Sequence, residues 1–150
     1  MEKARTSLKF SSLSVLALAV ISLATIIAGL MSSEFNSAEL PAGSPENLMT
    51  ITKIIILVVT LVLLIPRVYV GFKGLKIAKN PDSSKGHIIW AVILLVFAIL
   101  SLIEPVTNMV KSGSLSGYWS SFYGPALDAV VFLEYIKEAR TVAKAAAKGN

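Results

Sequence analysis

The stretch Lys53-Ile54-Ile55-Ile56-Leu57-Val58-Val59-Thr60-Leu61-Val62-Leu63-Leu64-Ile65-Pro66-Arg67 decides the fold. Between its two cations lies an uncharged run rich in β-branched residues, yet apolar and polar positions do not alternate along it. A half-buried strand would alternate; an unbroken run of this length fits a helix buried on all sides or facing lipid. Its flanks extend the segment from Leu48 to Phe72, enough to exceed the roughly 20 apolar residues that cross a bilayer core of about 30 Å. Upstream, Ser44-Pro45-Glu46 reads as an N-cap, a first-turn proline and an acid favoured by the helix dipole.

Three further segments follow by working outward. Phe10 to Met31 is free of charge and predicts a first span. A cleaved signal peptide is the alternative, given the basic start at Lys3, Arg5 and Lys9, although the apolar run exceeds the usual 7–15 residue core. Gly86 to Val110 follows the turn signal Asn80-Pro81, with Asp82, Ser83 or Ser84 as cap, and Glu104-Pro105 interrupts its far end. Tyr118 to Ile136 is the least apolar, since it contains Gly124-Pro125, Asp128 and Glu134, and it completes an even number of crossings.

The whole composition agrees. Of 150 residues 55% are hydrophobic and 15% charged, against about a quarter charged in a soluble domain, and the mean hydropathy is +0.73. The expectation is an all-α integral membrane four-helix bundle, one four-span domain over residues 1–150 with spans 10–31, 48–72, 86–110 and 118–136. Residues 137–150 form a basic tail. With no cysteine and a single histidine, disulfides, thiol catalysis, iron–sulfur clusters and multi-histidine zinc sites are excluded. No Gly-rich phosphate loop, Ser/His/Asp set or HExxH is present either, so no catalytic residue, metal or cofactor is expected.

Charge supplies the orientation, because Lys and Arg of short loops stay on the cytoplasmic side. Twelve of the fourteen basic residues fall on one side: Lys3, Arg5 and Lys9; Arg67, Lys73, Lys76, Lys79 and Lys85; Lys137, Arg140, Lys144 and Lys148. The other side has Lys53 and Lys111, and its first loop carries Glu34, Glu39 and Glu46. Both termini are therefore expected in the cytoplasm, with residence in a bacterial inner membrane or a plasma membrane. The net charge of +5 needs no nucleic acid to explain it, because a basic patch on a water-exposed domain is lacking. Anionic lipid headgroups at the cytoplasmic face are the partner that these charges predict.

Two basic stretches, Val70 to Lys79 and Lys137 to Lys148, have helix-forming composition. They are expected as cytoplasmic helical extensions of spans two and four, lying at the headgroups. In span one, Ala24/Ala28/Ser32 and Thr25/Gly29/Ser33 repeat small residues every four positions, a pattern that admits a closely packed helix, within the bundle or from a second copy. The aromatics Tyr118 and Trp119 read as interfacial anchors, and His87 as a polar residue at the cytoplasmic interface.

Ionisable groups inside a bilayer cost roughly 2.5–3.5 kcal/mol each on insertion scales, so they are expected to pair or to face the bundle. Counting about 1.5 Å per residue, Lys53 and Glu104 lie at matched depth near the outer ends of their spans, and Asp128 lies near the midplane. Lys53, Glu104 and Asp128 are the candidate polar cluster; Arg67 and Glu134 are the candidate inner ion pair. Two functions compete. One is a non-enzymatic accessory, regulatory or assembly subunit that packs against another membrane protein or a homo-oligomer. The other is a small oligomeric transporter or channel using Lys53, Glu104 and Asp128, and a small membrane enzyme is a third reading.

Overall fold

The computed structural model describes residues 2–32, 47–82, 84–113 and 119–148. It contains helices α1 (Glu2–Met31), α2 (Leu48–Lys79), α3 (Gly86–Leu100), α4 (Ile103–Ser112) and α5 (Trp119–Lys148), and no strand among the described residues. Three helical stretches are long and apolar enough to cross a membrane: α1, α2, and α3 with α4 taken together as Gly86–Ser112. The protein is thus all-helical and suited to a membrane. α5 matches the others in length but carries Asp128 and Glu134 in the stretch read as a span.

The buried positions recur every three or four residues on each long helix. They are Leu8, Ser12, Val15 and Ala19 on α1; Val70, Gly74 and Ile77 on α2; His87, Ala91, Leu94 and Ala98 on α3; Phe132, Tyr135, Ala139 and Val142 on α5. That spacing is the seam of helices packed nearly parallel or antiparallel, as in coiled coils. All four seams meet at one end of the bundle, the end that carries the start of α1, the end of α2, the start of α3 and the end of α5. Toward the opposite end the apolar side chains lie exposed, among them Ile54, Ile55, Val58 and Val62 of α2. Lipid is as good an apolar surrounding as another leucine, so hydrophobicity alone does not close such helices; close packing does.

The two basic stretches expected as helical extensions are continuous with α2 and α5, and they supply part of the core. Ile77, Ala78, Ala139, Val142 and Ala143 are all buried, because they extend the seam spacing set by Val70 and Tyr135. The small-residue stripes of α1 are left largely uncovered by the bundle. Ala24, Thr25, Ala28 and Gly29 are exposed, while Ser33 lies outside the described residues. Close approach occurs lower down, where Ser12 and Leu16 of α1 meet Gly71 and Gly74 of α2.

Helix ends are finished by particular residues. Arg5 Nε donates to the Ala78 carbonyl at 2.9 Å and its Nη2 to the Lys79 carbonyl at 2.7 Å, which satisfies two of the last carbonyls of α2 with a cation at the negative end of its dipole. Arg5→Ala is expected to cost about 1–2 kcal/mol. Hydrogen exchange at the last turn of α2 should accelerate before the rest of the helix, and unchanged exchange there would refute the capping role. Asp82 does not cap α3. Its carboxylate accepts the Ser84 N–H and pairs with Lys73 Nζ at 3.7 Å, which holds the turn, while α3 starts later at Gly86 with no side-chain cap. Ser83 and the Ser44-Pro45-Glu46 signal lie outside the described residues.

The interruption foreseen at Glu104-Pro105 appears at Ser101 and Leu102, between α3 and α4. Pro105 lacks the N–H that would bond the Ser101 carbonyl one turn earlier, and it sits in the first turn of α4, where the missing donor does no harm. Gly113, at φ +63°, ends α4 in the left-handed conformation and donates its N–H to Met109 at 3.0 Å. α2 and α5 run on through Pro66 and Pro125.

Candidate functional site

One seam step beyond the apolar core the bundle turns polar. Ser22 follows Ala19 on α1, Arg67 precedes Val70 on α2, and Asp128 precedes Phe132 on α5. Arg67 Nη2 forms an ion pair with Asp128 Oδ2, Arg67 Nη1 donates to Ser22 Oγ at 3.3 Å, and the guanidinium carbon lies 5.8 Å from the centre of the Phe132 ring. The two charged side chains are 20% and 14% exposed, so each is largely withdrawn from its surroundings and needs the other. A guanidinium suits this position because it keeps its charge and spreads several donors over separate acceptors. The layer ties three helices together through one cation.

This pairing replaces both arrangements expected from depth. α2 and α5 run in the same direction with a fixed register: the Tyr135 hydroxyl donates to the Val70 carbonyl at 3.0 Å, and the Tyr135 ring lies against Gly74. Tyr135 is seven residues past Asp128, and Gly74 is seven past Arg67, so the two charges stand level. The depth count ended span two at Phe72, whereas α2 remains packed through Ala78. With Lys137 level with Lys76 in this register, Arg67 lies about 13 Å from that level, the depth found for Asp128. Glu134 is exposed, and with Ser7, Ser11, Ser14, Lys137 and Glu138 it lines a shallow groove between α1 and α5.

Lys53, Glu104 and Asp128 are not brought together. Lys53 lies beside Ile27, Leu30 and Met31 of α1, roughly 21 Å along α2 from Arg67, and Glu104 is exposed in the first turn of α4. Tyr118 and the side chain of Trp119 lie outside the described residues.

His87, read as a polar residue at the start of its span, belongs to the packed core of the bundle. It is fully buried, it meets the Tyr135 ring edge-on at 6.0 Å between centres and 87° between planes, and neither ring nitrogen has a hydrogen-bond partner among the described residues. Its burial follows from its seam spacing with Ala91, Leu94 and Ala98. Ser22 and Tyr135 were not singled out from the sequence, although Leu8-Ser12-Val15-Ala19-Ser22 and Asp128-Phe132-Tyr135-Ala139-Val142 carry the same signal.

Chemically, the layer pairs one cation with a carboxylate and a hydroxyl acceptor. No group of three His, Asp or Glu side chains suited to a metal occurs among the described residues. Comparison of the chain with protein-family models, with curated proteins and with solved structures gives no match.

Proposed function

We propose that the chain is a four-span membrane protein with both termini in the cytoplasm. It acts without chemistry of its own, as an accessory or assembly subunit that packs against another membrane protein or further copies of itself. The observation that carries this reading is the distribution of packing. The helices are closely joined at the chain-end half, while the far half of α1 presents exposed small residues, Ala24, Ala28 and Gly29, beside Val20 and Ile21. Helix association in lipid needs such surfaces. In this reading the Arg67–Asp128 layer fixes the register of the joined half, a use for which single polar core residues are well attested.

Transport is the competing reading, favoured by a charge pair at membrane depth beside two proline-containing helices. Lys53 and Glu104 stand away from that pair, so such a pathway would rest on Arg67 and Asp128 alone. Two experiments decide. Extraction in mild detergent should yield a stoichiometric membrane partner or a discrete homo-oligomer, and repeated isolation of a bare monomer would refute the subunit reading. A reporter fused after Asn150 should remain in the cytoplasm; its appearance outside would overturn the orientation.

A further inference from the structure

The chain-end half carries a second concave surface, between the first turns of α1 and the last turns of α2. Its volume is about 790 Å³, within the range of clefts that hold small ligands. Leu75 and Ala78 give it an apolar floor; Arg5, Lys9 and Lys79 stand around it with Thr6, and Glu2 is the single acid in its lining.

Three features select the occupant. The first is charge, three cations against one acid. The second is preorganisation: Arg5 is already held by the Ala78 and Lys79 carbonyls, so its charge is fixed without further ordering cost. The third is position. Phe72, on the turn of α2 before Leu75, is 62% exposed, and Leu13, one turn past Lys9 on α1, is 45% exposed, so the cleft lies where the surface passes from charged to apolar. A soluble phosphate would satisfy the cations and leave the apolar floor, Leu13 and Phe72 unused. A lipid satisfies both.

We propose that this cleft binds one anionic glycerophospholipid, its phosphate held by Arg5, Lys9 and Lys79 and its acyl chains running along the exposed apolar side chains from Leu13 and Phe72 onward. The proposal rests on the membrane orientation given above and sharpens a general attraction of basic residues for anionic headgroups into one site.

The test uses the full-length protein in an uncharged detergent, with phosphatidylglycerol, phosphatidylcholine or glycerol 3-phosphate added. Phosphatidylglycerol should raise the unfolding midpoint about 3–5 °C more than phosphatidylcholine, and native mass spectra should retain one copy. Lys9 and Lys79 are exposed, so the double variant K9Q/K79Q should fold with an unchanged midpoint in detergent alone and lose the selective rise. The double variant K144Q/K148Q, with the same loss of charge on α5, should keep it. Equal loss in both double variants would overturn the site in favour of diffuse attraction. Equal stabilisation by glycerol 3-phosphate would overturn the lipid as its occupant, and no preference over phosphatidylcholine would overturn the site itself. Membrane fractionation separates these from failure of the orientation reading: a chain recovered in the soluble fraction refutes that reading, whereas a membrane-embedded chain without lipid selectivity refutes the site alone.

Discussion

Arg67→Ala is expected to destabilise the bundle by about 3 kcal/mol, and Asp128→Ala by a similar amount, whereas the double variant R67M/D128L recovers most of the loss. Each single substitution leaves one charge withdrawn from water without its partner, which costs about 3–5 kcal/mol for a fully buried pair. The lower end applies because the two side chains keep 20% and 14% exposure. The double substitution removes both charges, and replacing a buried ion pair with apolar residues of similar volume is often neutral or stabilising. Ser22 then loses a single hydrogen bond, since its oxygen accepts from Arg67 at 3.3 Å. Reversible unfolding in mixed micelles would read the three values. Single variants that each cost little and simply add in the double would refute the coupling. The same series bears on function: if register alone is what the pair supplies, R67M/D128L should retain whatever partner the wild type retains, while a transport role for the charges would be lost with them.

The parts of this fold that lipid dictates could be read from the sequence, and the parts that packing dictates could not. Apolar length located residues 10–31, 48–72 and 86–110 because a bilayer core demands it, and helices occupy all three. The helices run past these spans by about two turns, α1 back to Glu2 and α2 on to Lys79 through the stretch expected as its extension, since hydropathy reports the apolar layer and not the helix. Counting depth from Phe72 misplaced Arg67 by about one turn and assigned it to Glu134 instead of Asp128. The buried face of α2 was hidden for a different reason. Ile, Val and Leu surround that helix on every side, and lipid accepts them all, so no contrast distinguishes seam from exterior. His87 was obscured by its position at the start of a segment, where a polar residue reads as an interfacial one. The fourfold and threefold steps to Ala91, Leu94 and Ala98 reveal its place only once a second helix with matching steps is set beside it.

Gly74→Ala should likewise destabilise the protein, by about 2 kcal/mol, although alanine is the better helix former by about 1 kcal/mol. A Cβ at this position would lie 2.6 Å from Tyr135 Cε2 and 2.8 Å from its Oη, and against the Ser12 Oγ as well. Neither neighbour can give way cheaply. The Tyr135 hydroxyl is bonded to the Val70 carbonyl and its ring meets buried His87 edge-on, while Ser12 Oγ donates to the Leu8 carbonyl at 2.6 Å on its own helix. The added methyl must therefore part α1, α2 and α5, and overpacking of this kind costs about 1–3 kcal/mol. Gly29→Ala supplies the contrast, because nothing lies within 4 Å of the Cβ it would add; it should be neutral or stabilise by about 0.5–1 kcal/mol. Ser12→Ala combined with Gly74→Ala removes one of the obstructing atoms and should recover part of the loss, which ties the effect to the three-helix contact rather than to α2 alone. If Gly74→Ala stabilises the protein as Gly29→Ala does, the close junction of α1, α2 and α5 is wrong, and with it the shared register that sets Arg67 level with Asp128.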